Sequence, residues 1–174
     1  MMLKVSVIFA HQDGIIGVNG AMPWHIPYDL KWFRSHTVNN AIVMGHATFK
    51  SIGSKPLPDR FNVVLTRGPE IYVERYGINV KAAGSLDQAL RMCSLRHFSE
   101  AFIIGGSSVL EEGIKIADRL HITKVSPSIV IPESDNIVRV NADTSDFDLI
   151  ASHEVDGSFY ETWIRRPIKC CPFQ

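Results

Sequence analysis

Short apolar runs rich in valine and isoleucine recur along the chain at Leu3 to Ala10, Ala41 to Gly45, Asn62 to Thr66, Ala101 to Gly105 and Arg119 to Val125. Each is bounded by Gly, Pro or polar residues, and runs of this length read as strands buried on both faces. Helix-like stretches lie between them: Asp29 to Thr37, a short one opening at His46, Ser85 to Leu95 and Ser107 to Ile116. Ser85 and Gln88 have the spacing of a capping box. Alternating strand and helix implies an α/β fold with a mostly parallel central sheet and helices on both faces. After Pro132 the pattern turns polar, with Asp135 to Asp146 the least patterned region. Two further strands are expected around Phe147 to Val155 and Ser158 to Arg165, joined by Asp156-Gly157. Asp-Gly favours a tight hairpin, so an antiparallel pair is expected at the C-terminal sheet edge.

Size and charge narrow the picture. A chain of 174 residues suits one domain, and no repeat or linker divides it. The expected division is a domain over 1–166 and a short C-terminal tail over 167–174, to which no function is assigned. Lys+Arg and Asp+Glu both number 18, so no general field draws the protein to nucleic acid or a membrane. The apolar run at the N-terminus is too short for a signal peptide or membrane span. Three cysteines, Cys93, Cys170 and Cys171, argue against a disulfide framework and for a reducing cytoplasm. No metal site is expected, and nothing demands more than a monomer.

Candidate chemistry begins at two strand-to-helix junctions. Phe102-Ile-Ile-Gly-Gly-Ser-Ser-Val-Leu places two glycines between a buried strand and a helix, and Ala41-Ile-Val-Met-Gly-His-Ala-Thr repeats the plan. Helix-start N–H groups freed of side-chain bulk favour a phosphate. The plainer reading is a tight turn that allows close helix packing. Neither junction is the GxGxxG fingerprint. Thr66-Arg67 ends the third strand, where open α/β sheets bind ligands. The guanidinium of Arg67 suits a terminal phosphate, although a solvated loop charge is its commoner role.

The segment Met22-Pro-Trp-His-Ile-Pro-Tyr-Asp-Leu-Lys-Trp-Phe is rich in large apolar groups. Asp29 shares a helix face with Trp32 and Phe33. A carboxylate there is either the helix N-cap or a group held in an apolar pocket to meet a polar ligand. On the residues alone both readings stand.

An ordered set of motifs then points to a family. Ile15-Ile-Gly, Ala21-Met-Pro-Trp, Asp29-Leu with Phe33, Met44-Gly-His-Ala-Thr, Ser51-Ile-Gly, Pro56-Leu-Pro-Asp-Arg, Ile104-Gly-Gly-Ser and Leu120-His-Ile-Thr follow one another from Val5 to the closing strand. The chain resembles dihydrofolate reductase in their order and spacing, and the resemblance spans nearly all of it. It implies a fold of that family and transfer of hydride from NADPH to C6 of 7,8-dihydrofolate while N5 gains a proton. Asp29 would anchor the pterin's 2-amino and N3 groups, with Thr123 supporting the carboxylate and Met22 and Trp24 completing the catalytic set. Val7, Ile8, Phe9, Leu30, Phe33, Ile52, Leu57 and Ile104 would line the substrate slot, and Arg60 would pair with the α-carboxylate of the glutamate tail. NADPH would meet Phe9, then Ile16, Gly17, Asn19 and Met22 in a mobile loop over Gln12 to Trp24. It would next meet Gly45, His46, Ala47 and Thr48, then Leu65, Thr66 and Arg67. The last contacts would come from Ile104, Gly105, Gly106, Ser107, Ser108, Val109 and Leu110. Asp135 would correspond to an aspartate that steadies the closed loop.

Three positions depart from the family pattern. Phe9 stands for a small alanine and implies a tighter or shifted pocket. His46 replaces a basic residue at the cofactor phosphates, and an imidazole with an ordinary pKa of about 6.5 is mostly neutral at pH 7. Leu110 replaces a tyrosine near the nicotinamide. Retained activity with altered affinity is the expectation. The rival readings are an aminopyrimidine reductase of riboflavin synthesis on the same scaffold, and a non-catalytic folate- or nucleotide-binding module.

Overall fold

Parallel pairing brings the buried runs side by side in the computed structural model, which describes residues 2–68 and 80–167. The chain order is β1 (Lys4–His11), β2 (Ile15–Val18), α1 (Pro27–Thr37), β3 (Ala41–Gly45), α2 (His46–Ser51), β4 (Phe61–Leu65) and β5 (Val80–Ala83). There follow α3 (Leu86–Leu95), β6 (Glu100–Gly105), α4 (Ser107–Ile116), β7 (Arg119–Lys124), β8 (Ile137–Arg139), β9 (Phe147–Val155) and β10 (Ser158–Arg165). Eight strands form one sheet in the order β5-β4-β3-β6-β1-β7-β10-β9. Strands β5 to β7 in that order are parallel, and β10 runs antiparallel to both β7 and β9. The α/β expectation with an antiparallel C-terminal pair therefore holds.

The alternation of side chains along each strand divides the core in two. Ile8, Ile42, Met44 and Phe102 face α1 and α2, where Phe49, Trp32 and Phe33 pack on them. Val7, Phe9, Val43, Ile103, Leu120 and Ile122 face α3 and α4, against Leu86, Ala89, Cys93, Leu110 and Ile114. Met44 and Phe49 are fully buried, and truncating either to Ala removes ~2–5 kcal/mol. Helix α4 lies close on the sheet because Gly113 has no side chain: a Cβ there would come within 2.6 Å of Ile103 Cδ1.

Local signals worked as expected at several ends. Ser85 caps α3 by accepting from Gln88 N–H at 3.2 Å, but the Gln88 amide oxygen reaches one residue further back, to Gly84 N–H at 2.7 Å. Asp156 and Gly157 take φ of 50° and 77°, the two left-handed positions of a two-residue hairpin turn. Three strands lie outside the expected set: β2, β5 and β8. β2 and β8 form a separate two-stranded sheet, pairing Gly17 with Val138 and Val18 with Ile137. The expected loop from Gln12 to Trp24 is thus partly a β-ribbon. Of the tail, 168–174 lies outside the described residues, with Cys170 and Cys171.

Candidate active site

Helix α1 carries the first half of the site. Its N-cap is Ile26, with Pro27 at the first turn and no side-chain cap. Asp29 is therefore inside the helix and does not cap it. The helix lies over the sheet so that Asp29, only 8% exposed, meets Thr123 of β7, whose hydroxyl donates to Asp29 Oδ1 at 2.7 Å. Burial pushes the Asp29 carboxyl above its usual range, and the Thr123 hydrogen bond pulls less strongly the other way. Trp24 is also buried, and its indole Nε1 has no hydrogen-bond partner among the described residues.

From Asp29 apolar side chains run along and beside the helix. Met22 and Leu30 stand half exposed beside it, and Phe33, Ile52, Leu57 and Ile104 are partly buried against the cluster holding Ile8. At its far end Arg60 is steered by Thr37, the last residue of α1, with Nη1 donating to Thr37 Oγ1 at 3.1 Å and Nε to Pro58 O at 2.9 Å. Its guanidinium lies 6.0 Å from the Phe33 ring centre. Eight residues of helix separate Asp29 from Thr37, a rise of ~12 Å. The arrangement thus suits a long, flat ligand with paired N–H groups at one end and a carboxylate at the other.

Val7 and Phe9 occupy the opposite sheet face from Asp29. The Val7 side chain is fully buried, with Cγ2 against Gly113, so contact with a ligand beside Asp29 falls to its main chain. Phe9 is 8% exposed, with its ring 5.8 Å from that of His11. Leu110 is equally internal, at 1%. Two of the three departures are thus core residues of the α3/α4 face. Packing there accommodates them.

The second half of the site lies along the carboxyl edge of the sheet. Because β3 and β6 are neighbours, their two glycine junctions meet: a Cβ on Gly45 would lie 3.6 Å from Gly106 N, and one on Gly105 only 2.9 Å from Thr48 Oγ1. Gly105 has φ +148° and joins Gly106 through a cis peptide bond. Helices α2 and α4 both begin here, after Gly45 and Gly106, without a side-chain cap. Helix starts of this kind suit an anion. His46 and Ala47 open α2, while Ser108 and Val109 lie in the first turn of α4. Ser107 Oγ donates instead to Arg139 O. One strand further out, beyond Leu65, Thr66 Oγ1 accepts from Gly68 N–H and Arg67 is exposed. Two strand spacings, ~10 Å, separate the Gly105 and Arg67 ends of this edge.

The β2/β8 ribbon closes the front. Ile16 and Gly17 lie in β2. Asn19 N–H donates to Asn136 O at 2.9 Å, and Ser134 Oγ donates to Asn19 Oδ1 at 2.7 Å. Asp135 is exposed between those two partners. The sequence pointed to the aspartate, whereas its neighbours make the contact. Ser134 and Asn136 give no signal in the sequence, because pairing across more than a hundred residues creates their role.

Comparison with known proteins agrees with this geometry. A family model described as dihydrofolate reductase matches residues 4–161. Dihydrofolate reductase type 3 of Salmonella typhimurium is 40% identical over 129 residues, covering 74% of this chain and 75% of that protein. Dihydrofolate reductase of Bacillus subtilis is 40% identical over 122 residues, 70% of this chain and 68% of that one. The solved structure of dihydrofolate reductase from Enterococcus faecalis, complexed with NADP(H) and RAB-propyl, superposes with a TM-score of 0.79 at 31% identity, covering 94% of this chain and 97% of that one. With a family model covering most of its length and relatives of this identity, the chain belongs to the dihydrofolate reductase family.

Proposed function

We propose that this protein reduces 7,8-dihydrofolate to 5,6,7,8-tetrahydrofolate with NADPH, and so supplies one-carbon metabolism and thymidylate and nucleotide synthesis. The observation that carries the reading is that buried Asp29, held by Thr123, and Arg60, held by Thr37, stand at opposite ends of α1, with Phe33, Ile52 and Leu57 in one apolar cluster beside it. An aminopyrimidine would not call for the guanidinium at the far end.

Asp29 faces the pterin's 2-amino and N3 groups with its two oxygens. Burial pushes the proton affinity of this carboxyl up, and in its ionised form its charge in the desolvated site favours a protonated pterin and delivery of a proton to N5 through water. Thr123 fixes its orientation, and the buried Trp24 indole N–H, which has no hydrogen-bond partner among the described residues, is available to a water. Leu30, Phe33, Ile52, Leu57 and Ile104 exclude solvent from the ring and the aminobenzoyl group. Arg60 takes the glutamate α-carboxylate.

NADPH, when bound, supplies the hydride for C6. The residues fit such a cofactor because Gly45, Gly105 and Gly106 leave a cradle that a Cβ would fill, beneath two uncapped helix starts. Thr66 and Arg67 would take its terminal phosphate, and Ile16, Gly17, Asn19 and Met22 would cover the nicotinamide from the β2 ribbon. We read the protein as a cytoplasmic monomer without nucleic-acid or membrane partners, in line with its zero net charge and the buried, unpaired Cys93. Among the described residues no helix is long and apolar enough to cross a membrane.

The test follows NADPH absorbance with dihydrofolate for the native protein and for Asp29→Asn. The variant is expected to lose about 10²-fold or more in kcat near neutral pH. Equal rates would remove Asp29 from the mechanism, and no rate in either would favour a non-catalytic binding module.

A further inference from the structure

Two polar atoms behind Asp29 have no part in the reaction as described. Tyr160 of β10 is fully buried, yet its hydroxyl has no hydrogen-bond partner among the described residues. Trp32, three residues beyond Asp29 on α1, carries a buried Nε1 in the same condition. Their ring centres are 5.5 Å apart. The register of β10 against β7 sets Tyr160 directly beside Thr123, the donor to Asp29, so both side chains rise from the sheet towards α1. A buried hydroxyl left unpaired costs ~1–3 kcal/mol, and such groups in native proteins call for an explanation. Phenylalanine would fill the same space without that cost. Thr123 serves one oxygen of the carboxylate, which leaves room for another donor.

We propose that Tyr160 is a positioning residue for Asp29: its hydroxyl, together with Trp32 Nε1, holds a bridging water against the carboxylate from the side away from the substrate slot, giving Asp29 a second donor. A water with three polar partners is well satisfied. The arrangement favours the ionised carboxylate and offsets part of the desolvation that raises its proton affinity. Burial, then the Asp29 charge, pushes the Tyr160 phenol up to about 12, so it remains a donor throughout the neutral range. The other titratable groups facing this corner are Tyr28 and His36 from α1, His121 from β7, His153 from β9 and Asp156 from the hairpin turn. Burial, with His36 and Arg119 nearby, takes the His121 imidazole down to about 3, so it brings no competing positive charge. His153 stacks on Tyr160 at 5.3 Å and shares a 3.0 Å hydrogen bond with the Tyr28 hydroxyl.

The inference rests on Asp29 as pterin anchor, and two readouts separate it from that reading. One is the carboxyl-carbon NMR titration of Asp29 in the ligand-free protein; the other is the pH profile of single-turnover hydride transfer. In Tyr160→Phe both midpoints are expected to rise by about half to one pH unit. Trp32→Phe should shift them in the same direction, and the Tyr160→Phe shift should persist in a His153→Gln background, which removes the stacked imidazole. A folded Tyr160→Phe protein with an unmoved Asp29 midpoint overturns the proposal, as does a change in KM or kcat without a midpoint shift. A moved NMR midpoint in a protein that does not reduce dihydrofolate would support Tyr160's action on Asp29 while rejecting the catalytic reading.

Discussion

The two ends of the site are built from different materials. At Asp29 the recognition groups are side chains, brought together from α1 and β7 and withdrawn from water. Along the sheet edge the recognition surface is main chain, exposed where Gly45, Gly105 and Gly106 carry no Cβ and where two helices begin without caps. A side-chain site can tune proton affinity, because burial and a single hydroxyl act on one titrating group. A main-chain site presents fixed N–H dipoles that do not titrate, which suits a constant polyanion. The first is sensitive to chemical identity. The second is sensitive to added bulk.

That contrast can be broken at three points. The largest effect is expected at Asp29 itself, where Asp29→Asn should lose activity while gaining stability. The carboxyl has a raised folded-state pKa, so it binds its proton more readily folded than unfolded; its favourable contribution is complete below the unfolded value of about 4 and is lost as pH rises through the folded value. Above that folded value the native protein bears a buried ionised carboxylate that Asn avoids. Thermal unfolding should show Asp29→Asn melting about 2–4 °C higher at pH 7, with the gain vanishing below about pH 4. An equal gain at both pH values would show that burial of charge is not the cause. Next comes Gly105→Ala, where a Cβ would both strain a φ of +148° and press on Thr48 Oγ1 at 2.9 Å. Fluorescence titration should find NADPH bound about tenfold or more weakly with dihydrofolate affinity little changed. The smallest is Arg67→Gln, a solvent-exposed charge. It should weaken NADPH by about three- to tenfold, leave NADH unaffected, and fade with added salt.

Local rules carried much of the fold. Ala41–Gly45 and the paired strands Phe147–Val155 and Ser158–Arg165 form where the apolar pattern and the Asp-Gly turn place them. Strands β2, β5 and β8 have four residues or fewer, too few to establish a period. Two of them exist only as each other's partner, Ile15 with Arg139 across the whole intervening chain. The candidate site was legible in the same uneven way. Gly-Gly before a helix and Asp beside Trp and Phe were visible as chemistry, but whether Asp29 capped a helix or entered a pocket turned on where the helix began. Pro27 and Ile26 decided that by starting it two residues earlier.

By itself the sequence determined the strand and helix segments, the glycine junctions and, through an ordered set of motifs, the family. Periodicity, turn chemistry and missing side chains are properties of neighbouring residues, so they survive in one dimension. Only the tertiary structure decided which groups meet: Thr123 with Asp29, Arg60 with Thr37, Gly105 with Thr48, Tyr160 beside the carboxylate's support. It also turned Phe9 and Leu110 inward, away from the Asp29 face. Each of these depends on strand order and register, which arise when distant segments bury their apolar faces together and which no local stretch of sequence encodes.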